Sequence, residues 1–303
     1  MALPSYAGPG ETLWYYTFRF LCGAIFLFLI LPIVIVVPLS FNIEPYFTFT
    51  QGMLTFDPDA YSLRWYQDIF QNGMADPKQT FGWNWIADSW NNAQWIHSTK
   101  NSFFIAICAT ILATTLGTLA ALGLSQSDLP YRGALMGILI SPMIVPLIIT
   151  AAGMYFFYSD VGLAQTYLGI ILAHTALGTP FVVITVTATM ISFDQSLIRA
   201  GANLGAAPHT VFFKVIMPLI LPGVISGGLF AFITSFDEVV AVLFLSGFEQ
   251  RTIPRQMWSG IREQISPTIL AVATILVCIS ICLLTTVEIL RRRSEKLRGI
   301  TPA

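Results

Sequence analysis

Six long apolar stretches constrain this chain more than any other feature. They cover about residues 20–41, 102–124, 133–158, 167–191, 221–246 and 267–290. About 20 mostly apolar residues are needed for a helix to cross the hydrocarbon of a bilayer. A backbone in lipid must satisfy its own hydrogen bonds, and no barrel-type strand pattern competes, so the stretches predict helices. The expected fold class is all-α, a polytopic membrane protein with six transmembrane helices. Composition agrees. Of 303 residues, 55% are hydrophobic and 10% charged, against about a quarter charged in a soluble domain. The first stretch is too long for a signal peptide, and no small-residue cleavage site follows it. A net charge of -1 gives no basic field for nucleic acid. Cys22, Cys108, Cys278 and Cys282 all lie in apolar runs. They read as packing residues, not as disulfide or zinc ligands.

Lys and Arg set the orientation. Arg291, Arg292, Arg293, Lys296 and Arg298 follow the sixth stretch directly. An even number of crossings puts both termini and residues 192–218 on that side, expected to be cytoplasmic. The predicted organisation is a cytoplasmic segment 1–19, a six-helix permeation domain 20–290 and a basic cytoplasmic tail 291–303. Residues 42–100 form an outer loop rich in Trp and Tyr, among them Trp65, Tyr66, Trp83, Trp85, Trp90 and Trp95. Such rings favour the membrane interface, so short surface helices are expected there, with a landing surface for an external protein as the functional reading. Within the stretches, Ala109, Ala113, Gly117 and Ala121 recur every four residues, as do Gly223 and Gly227. That spacing lets two helices approach closely. Pro142, Pro146 and Pro180 are candidate kinks.

Residues 199–219, "RAGANLGAAPHTVFFKVIMPL", interrupt the apolar chain. They predict helix, turn, helix. Asp194 is placed to cap a first helix, Gly205 to end it in a left-handed turn, and Pro208 to open a second. Val211, Phe212, Val215 and Ile216 share one side of that second helix, and Pro218 is expected to end it. An ordered cytoplasmic elbow of this length suits the transmission of force to a cytoplasmic partner.

The spacing Ala200-Gly201, three residues, Gly205, nine residues, then Val215-Ile216-Met217-Pro218 resembles the EAA loop of binding-protein-dependent ABC importer permeases. The family pattern is Glu-Ala-Ala, three residues, Gly, nine residues, Ile-x-Leu-Pro. Gly205 and Pro218 match in register; Arg199 stands for Glu and Gly201 for the second Ala. "SFDEVVAVLFLSG", "TIPRQMWSGIREQISPTILAVATILV", "SLRWYQDIF" and "NSFFIA" are similar to the second permease subunit of spermidine/putrescine-type importers. The chain departs from that pattern at about residues 71–97, where its loop is longer. The resemblance implies a type I ABC importer permease fold in a bacterial inner membrane. It also implies a second permease subunit, two ATP-binding cassette ATPase subunits, an extracytoplasmic solute-binding protein and a small, cationic, polyamine-like or amino-acid-derived solute. By this resemblance Arg199, Ala200, Gly201, Ala202, Gly205, Ala206, Pro208 and Pro218 form the ATPase-coupling site.

No phosphate-binding loop G-x-x-x-x-G-K-[ST] occurs, so ATP and its Mg²⁺ are expected on the partner ATPases, with no cofactor, metal or catalytic residue on this chain. Ser235, Phe236, Asp237 and Glu238 form the candidate substrate pathway. Two carboxylates inside an apolar helix each cost about 2.5 kcal/mol or more near its centre. Asp237 is the preferred pathway residue; a structural pairing is the other reading. His174 reads as a packing residue. An ion-coupled secondary transporter using Asp237 and Glu238 is the alternative function.

Overall fold

The computed structural model describes residues 8–126, 129–191, 193–194, 196–263 and 266–297. Their regular structure is helical, apart from one isolated bridge between Asn42 and Tyr61. In chain order the helices are α1 (Pro9–Leu39), α2 (Gln51–Leu54), a 3-10 turn (Pro58–Ala60), α3 (Arg64–Gln71), α4 (Trp83–Asn92), α5 (Gln94–Leu124), α6 (Arg132–Ile144), α7 (Leu147–Asp160) and α8 (Tyr167–Ile191). There follow α9 (Ser196–Asn203), α10 (Pro208–Val211), a π turn (Phe212–Ile216), α11 (Met217–Phe236), α12 (Val240–Leu245), α13 (Ile253–Glu263) and α14 (Thr268–Leu297). The chain forms two compact units, Met1–Thr80 with Gly260–Ala303, and Phe81–Ser259.

In the first unit, α14 packs on α1 and α3. Polar contacts fasten the loop after α1. The Trp65 indole N–H donates to the Asn42 carbonyl at 2.6 Å, Ser40 and Tyr66 share a hydrogen bond of 2.7 Å, and the Thr268 hydroxyl donates to Asp68 at 2.6 Å. Trp65 is therefore buried structure, not an interfacial ring.

In the second unit, α5, α8 and α11 pack on one another. Ala109, Ala113, Gly117 and Ala121 are all buried. A Cβ on Gly117 would lie 2.7 Å from Val182 Cβ, and one on Gly227 would lie 2.8 Å from Val182 Cα. Lipid gives no hydrophobic drive for helices to associate. Close approach and van der Waals contact must supply it, and only small residues permit the approach.

Several expected boundaries change. The first helix starts at Pro9, eleven residues before 20. The second crossing helix starts at Gln94, eight residues before 102. The third crossing is two helices, α6 and α7, meeting at 100°. Pro146 has no N–H to continue a helix and holds Val145 extended (ψ 136); Pro142 stays inside α6. The fifth stretch breaks after Phe236. By length and apolarity α1, α5, α8 and the continuous helix Pro208–Phe236 suffice to cross a membrane, and the α6–α7 pair, bent by 100°, is a fifth if its halves form one broken span and not a re-entrant loop. A sixth crossing would be α14, 30 residues long, whose described apolar part is Thr268–Cys282.

The packing makes a sharp prediction. Gly227→Leu forces a side chain into the backbone of α8, an overpacking that costs roughly 1–3 kcal/mol. Its thermal unfolding midpoint in detergent falls below that of the parent. Gly123, with nothing within 4 Å of an added Cβ, tolerates Ala without loss.

Candidate functional site

Two polar segments interrupt the apolar core. The first is the elbow. Asp194 accepts the Ser196 N–H at 2.8 Å and so opens α9 as expected. That hydrogen bond holds the Asp194 carboxyl below its ordinary range. The cap is therefore present at neutral pH and is lost only as pH falls through that lowered value. α9 ends in a Schellman turn: Gly205 N–H donates to Ala202 O at 2.9 Å and Ala206 N–H to Gly201 O at 3.1 Å. Gly205 sits at φ +74, where a Cβ would be strained. Pro208 occupies the first turn of α10. Gly201 has its own reason. A Cβ there would lie 3.1 Å from Val211 Cγ2, so glycine lets α9 lie close on α10.

Pro218 does not end the second helix. Met217 N–H donates five residues back, to Phe212 O, in a π turn that leads straight into α11. A regular turn would crowd the proline ring against the carbonyl four residues earlier, and the wider turn relieves this. The elbow's second helix thus continues without a break into a crossing helix, Pro208–Phe236. Phe193, Ile216 and Met217 pack against the cluster of Ala121, Val186, Met190 and Ile220 at that end of the core. Arg199, Ala200, Ala202 and Pro208 are exposed. So is Leu204, 88% accessible at the tip.

The second segment is the break in the fifth stretch. Asp237 closes α11 (φ -91, ψ 0), and α12 begins at Val240. The two carboxylates are therefore not neighbours on one helix. Asp237 is exposed and Glu238 buried. Glu238 Oε1 accepts the Ala241 N–H at 2.8 Å and so satisfies an otherwise open amide in the first turn of α12. Arg255 serves the other end of α12, donating to the carbonyls of Ser246 (2.7 Å) and Gly247 (2.8 Å). Ser235, in the last turn of α11, is buried and bonded to His174 Nδ1 of α8 at 2.7 Å. So Ser235 and Glu238 hold the break, and Asp237 is left open. Phe236 stacks on Phe232 and meets Phe103 of α5 edge-on, with centroids 5.7 and 5.2 Å apart. Phe103 and Phe232 carried no sequence signal, because phenylalanine is ordinary in such helices. Among the described residues, no group of three or more His, Cys, Asp or Glu could hold a metal.

The family described as "binding-protein-dependent transport system inner membrane component" matches residues 113–296, from the middle of α5 through α14. The chain belongs to that family. This permease is 30% identical over 271 residues to the spermidine/putrescine transport system permease protein PotC of Haemophilus influenzae, covering 89% of this chain and 95% of that one. The putrescine transport system permease protein PotI of Escherichia coli K12 is 30% identical over 259 residues, 83% and 82% of the two chains. In fold, the permease is similar to a chain of a bacterial ABC transporter involved in the import of the acidic polysaccharide alginate. That likeness has a TM-score of 0.65 at 15% identity and covers 95% and 99% of the chains. The permease is a membrane-embedded, non-catalytic subunit of an ATP-driven ABC importer, and the ion-coupled alternative finds no support among its relatives.

The buried His174–Ser235 pair yields a prediction. Ser235→Ala strips His174 of its partner at a cost of about 1–3 kcal/mol, whereas removing both polar groups is close to neutral. Thermal unfolding of the purified permease should show Ser235→Ala below the parent, with His174→Phe added to it recovering most of the loss. Equal loss in the single and double variants would contradict the pairing.

Proposed function

We propose that this permease forms half of an import pathway for a small organic cation of polyamine type, in a bacterial inner membrane with both termini cytoplasmic. The observation that carries the reading is the exposed Asp237 at the break between α11 and α12, beside the Phe103–Phe232–Phe236 cluster. A cation leaving water is offset by a carboxylate and by aromatic faces. A single open carboxylate also lets it leave again. The names of the polyamine permeases of Haemophilus influenzae and Escherichia coli point the same way. In this reading, residues 20–290 are the permeation domain, 1–19 and 291–303 are cytoplasmic ends, and Glu238 and Ser235 position Asp237.

The elbow 192–218 docks in an ATPase subunit, with Arg199, Ala200, Gly201, Ala202, Gly205, Ala206 and Pro208 at the contact and Pro218 at its root. A second, different permease chain completes the pathway, two ATPases bind ATP and Mg²⁺, and a solute-binding protein delivers the cation. The continuity of the elbow with α11 supports a direct mechanical link between ATPase and break.

Two variants test the reading. Asp237→Asn should cut uptake of radiolabelled putrescine strongly while complex yield and stimulated ATP hydrolysis persist. Normal uptake at normal yield would remove Asp237 from the pathway. Gly205→Asp should abolish uptake with the permease still in the membrane, because a charged side chain at φ +74 strains the turn and obstructs its docking face. Normal transport by that variant would end the coupling role of the turn.

A further inference from the structure

α4 carries an apolar face that nothing in its own unit covers. Trp83, Ile86 and Trp90 recur at i, i+3 and i+7, so they share one side of the helix. All three are exposed, Trp83 at 82% and Trp90 at 59%. Phe81, just before the helix, is exposed as well. Asn84 and Asn91 lie about 100° further round from the two tryptophans. Two tryptophans and an isoleucine on one side of a ten-residue helix are more than scattered surface residues.

The connectivity says where this face lies. Ala93 is at once the last residue of α4's turn and the N-cap of α5, so α4 leaves directly from the end of a crossing helix. At 31 residues, α5 is about 46 Å long, and it overshoots the ~30 Å hydrocarbon. The polar residues that take up the overshoot are Gln94, His97, Ser98, Thr99, Lys100, Asn101 and Ser102, all at the α4 end. This end therefore stands among lipid headgroups. Lys100 reaches back to α4. Its Nζ donates to the Trp90 carbonyl at 2.6 Å and lies 4.8 Å from the centre of the Trp90 ring. A cation beside an exposed indole matches a lipid phosphate over an acyl boundary, since Trp favours that level and Lys pairs with the anion.

We propose that α4 is a membrane-surface anchor: Trp83, Ile86 and Trp90 sit in the outer leaflet's headgroup–acyl boundary, and Lys100 pairs with a phosphodiester headgroup. The occupant is lipid, not protein. The anchor fixes the outer end of α5, and with it Asn101, which holds the loop after α12 through the carbonyls of Glu249 (2.7 Å) and Arg251 (2.9 Å). The inference rests on membership of a membrane-embedded family, on the orientation proposed above and on this geometry. It does not depend on the solute.

The test places a photoreactive benzoylphenylalanine at Ile86, and separately at Asn84, in the complete complex in nanodiscs of phosphatidylethanolamine and phosphatidylglycerol. After illumination, mass spectrometry should find phospholipid adducts at position 86 and several-fold fewer at 84. Trp83→Phe with Trp90→Phe keeps the adducts, whereas Ala at both positions lowers them several-fold. Lys100→Gln lowers the phosphatidylglycerol share. Adducts at position 86 with the solute-binding protein or the second permease, in place of lipid, would overturn the proposal. So would equal lipid labelling at 84 and 86.

Discussion

The contact of α5 and α11 with α8 at glycine positions is the constraint on which the second unit depends. In lipid, burial of apolar surface does not favour one helix neighbour over another, so close fit does. Gly117 and Gly227 both meet Val182 of α8, and Gly223 meets Thr189. This fixes α11 along its length, and so fixes what hangs from its two ends. At one end is the elbow, whose second helix runs through the π turn into α11 as one helix from Pro208. At the other is the break, held by Ser235 and Glu238.

The two ends use polar groups differently. The elbow turns its backbone with local hydrogen bonds and presents Leu204 outward. The break buries its polar groups: Glu238 takes an amide of α12 and Ser235 takes His174, so the chain stops one helix and starts another with the open amide and hydroxyl satisfied. Only Asp237 is left facing out. Adjacent carboxylates thus acquire opposite roles because the helix ends between them and not beyond them.

Legibility in the sequence followed the range of the interactions. Asp194, Gly205 and Pro208 act within a few residues, so the elbow is legible in the sequence alone. The small-residue stripe on α5 was equally plain from its spacing. Pro218 misled because its local rule says stop, while the π turn absorbs it. The break after Phe236 carries no Gly or Pro, and the apolar run continues past it to Leu245. The His174–Ser235 bond joins residues 61 apart, and the Phe103–Phe236 contact joins α5 to α11. Those pairings exist only once the core has packed.

If the glycine-packed core holds the elbow rigidly for an ATPase, the elbow itself must touch that subunit. Cysteine placed at Ala202 or Leu204, in a background without the native cysteines, should form a disulfide with a cysteine scanned through the ATPase surface in the assembled complex. Cysteine at Gly123, at the same end of the core but outside the elbow, should not. A complex that copurifies with its ATPase yet crosslinks at no elbow position would contradict the account.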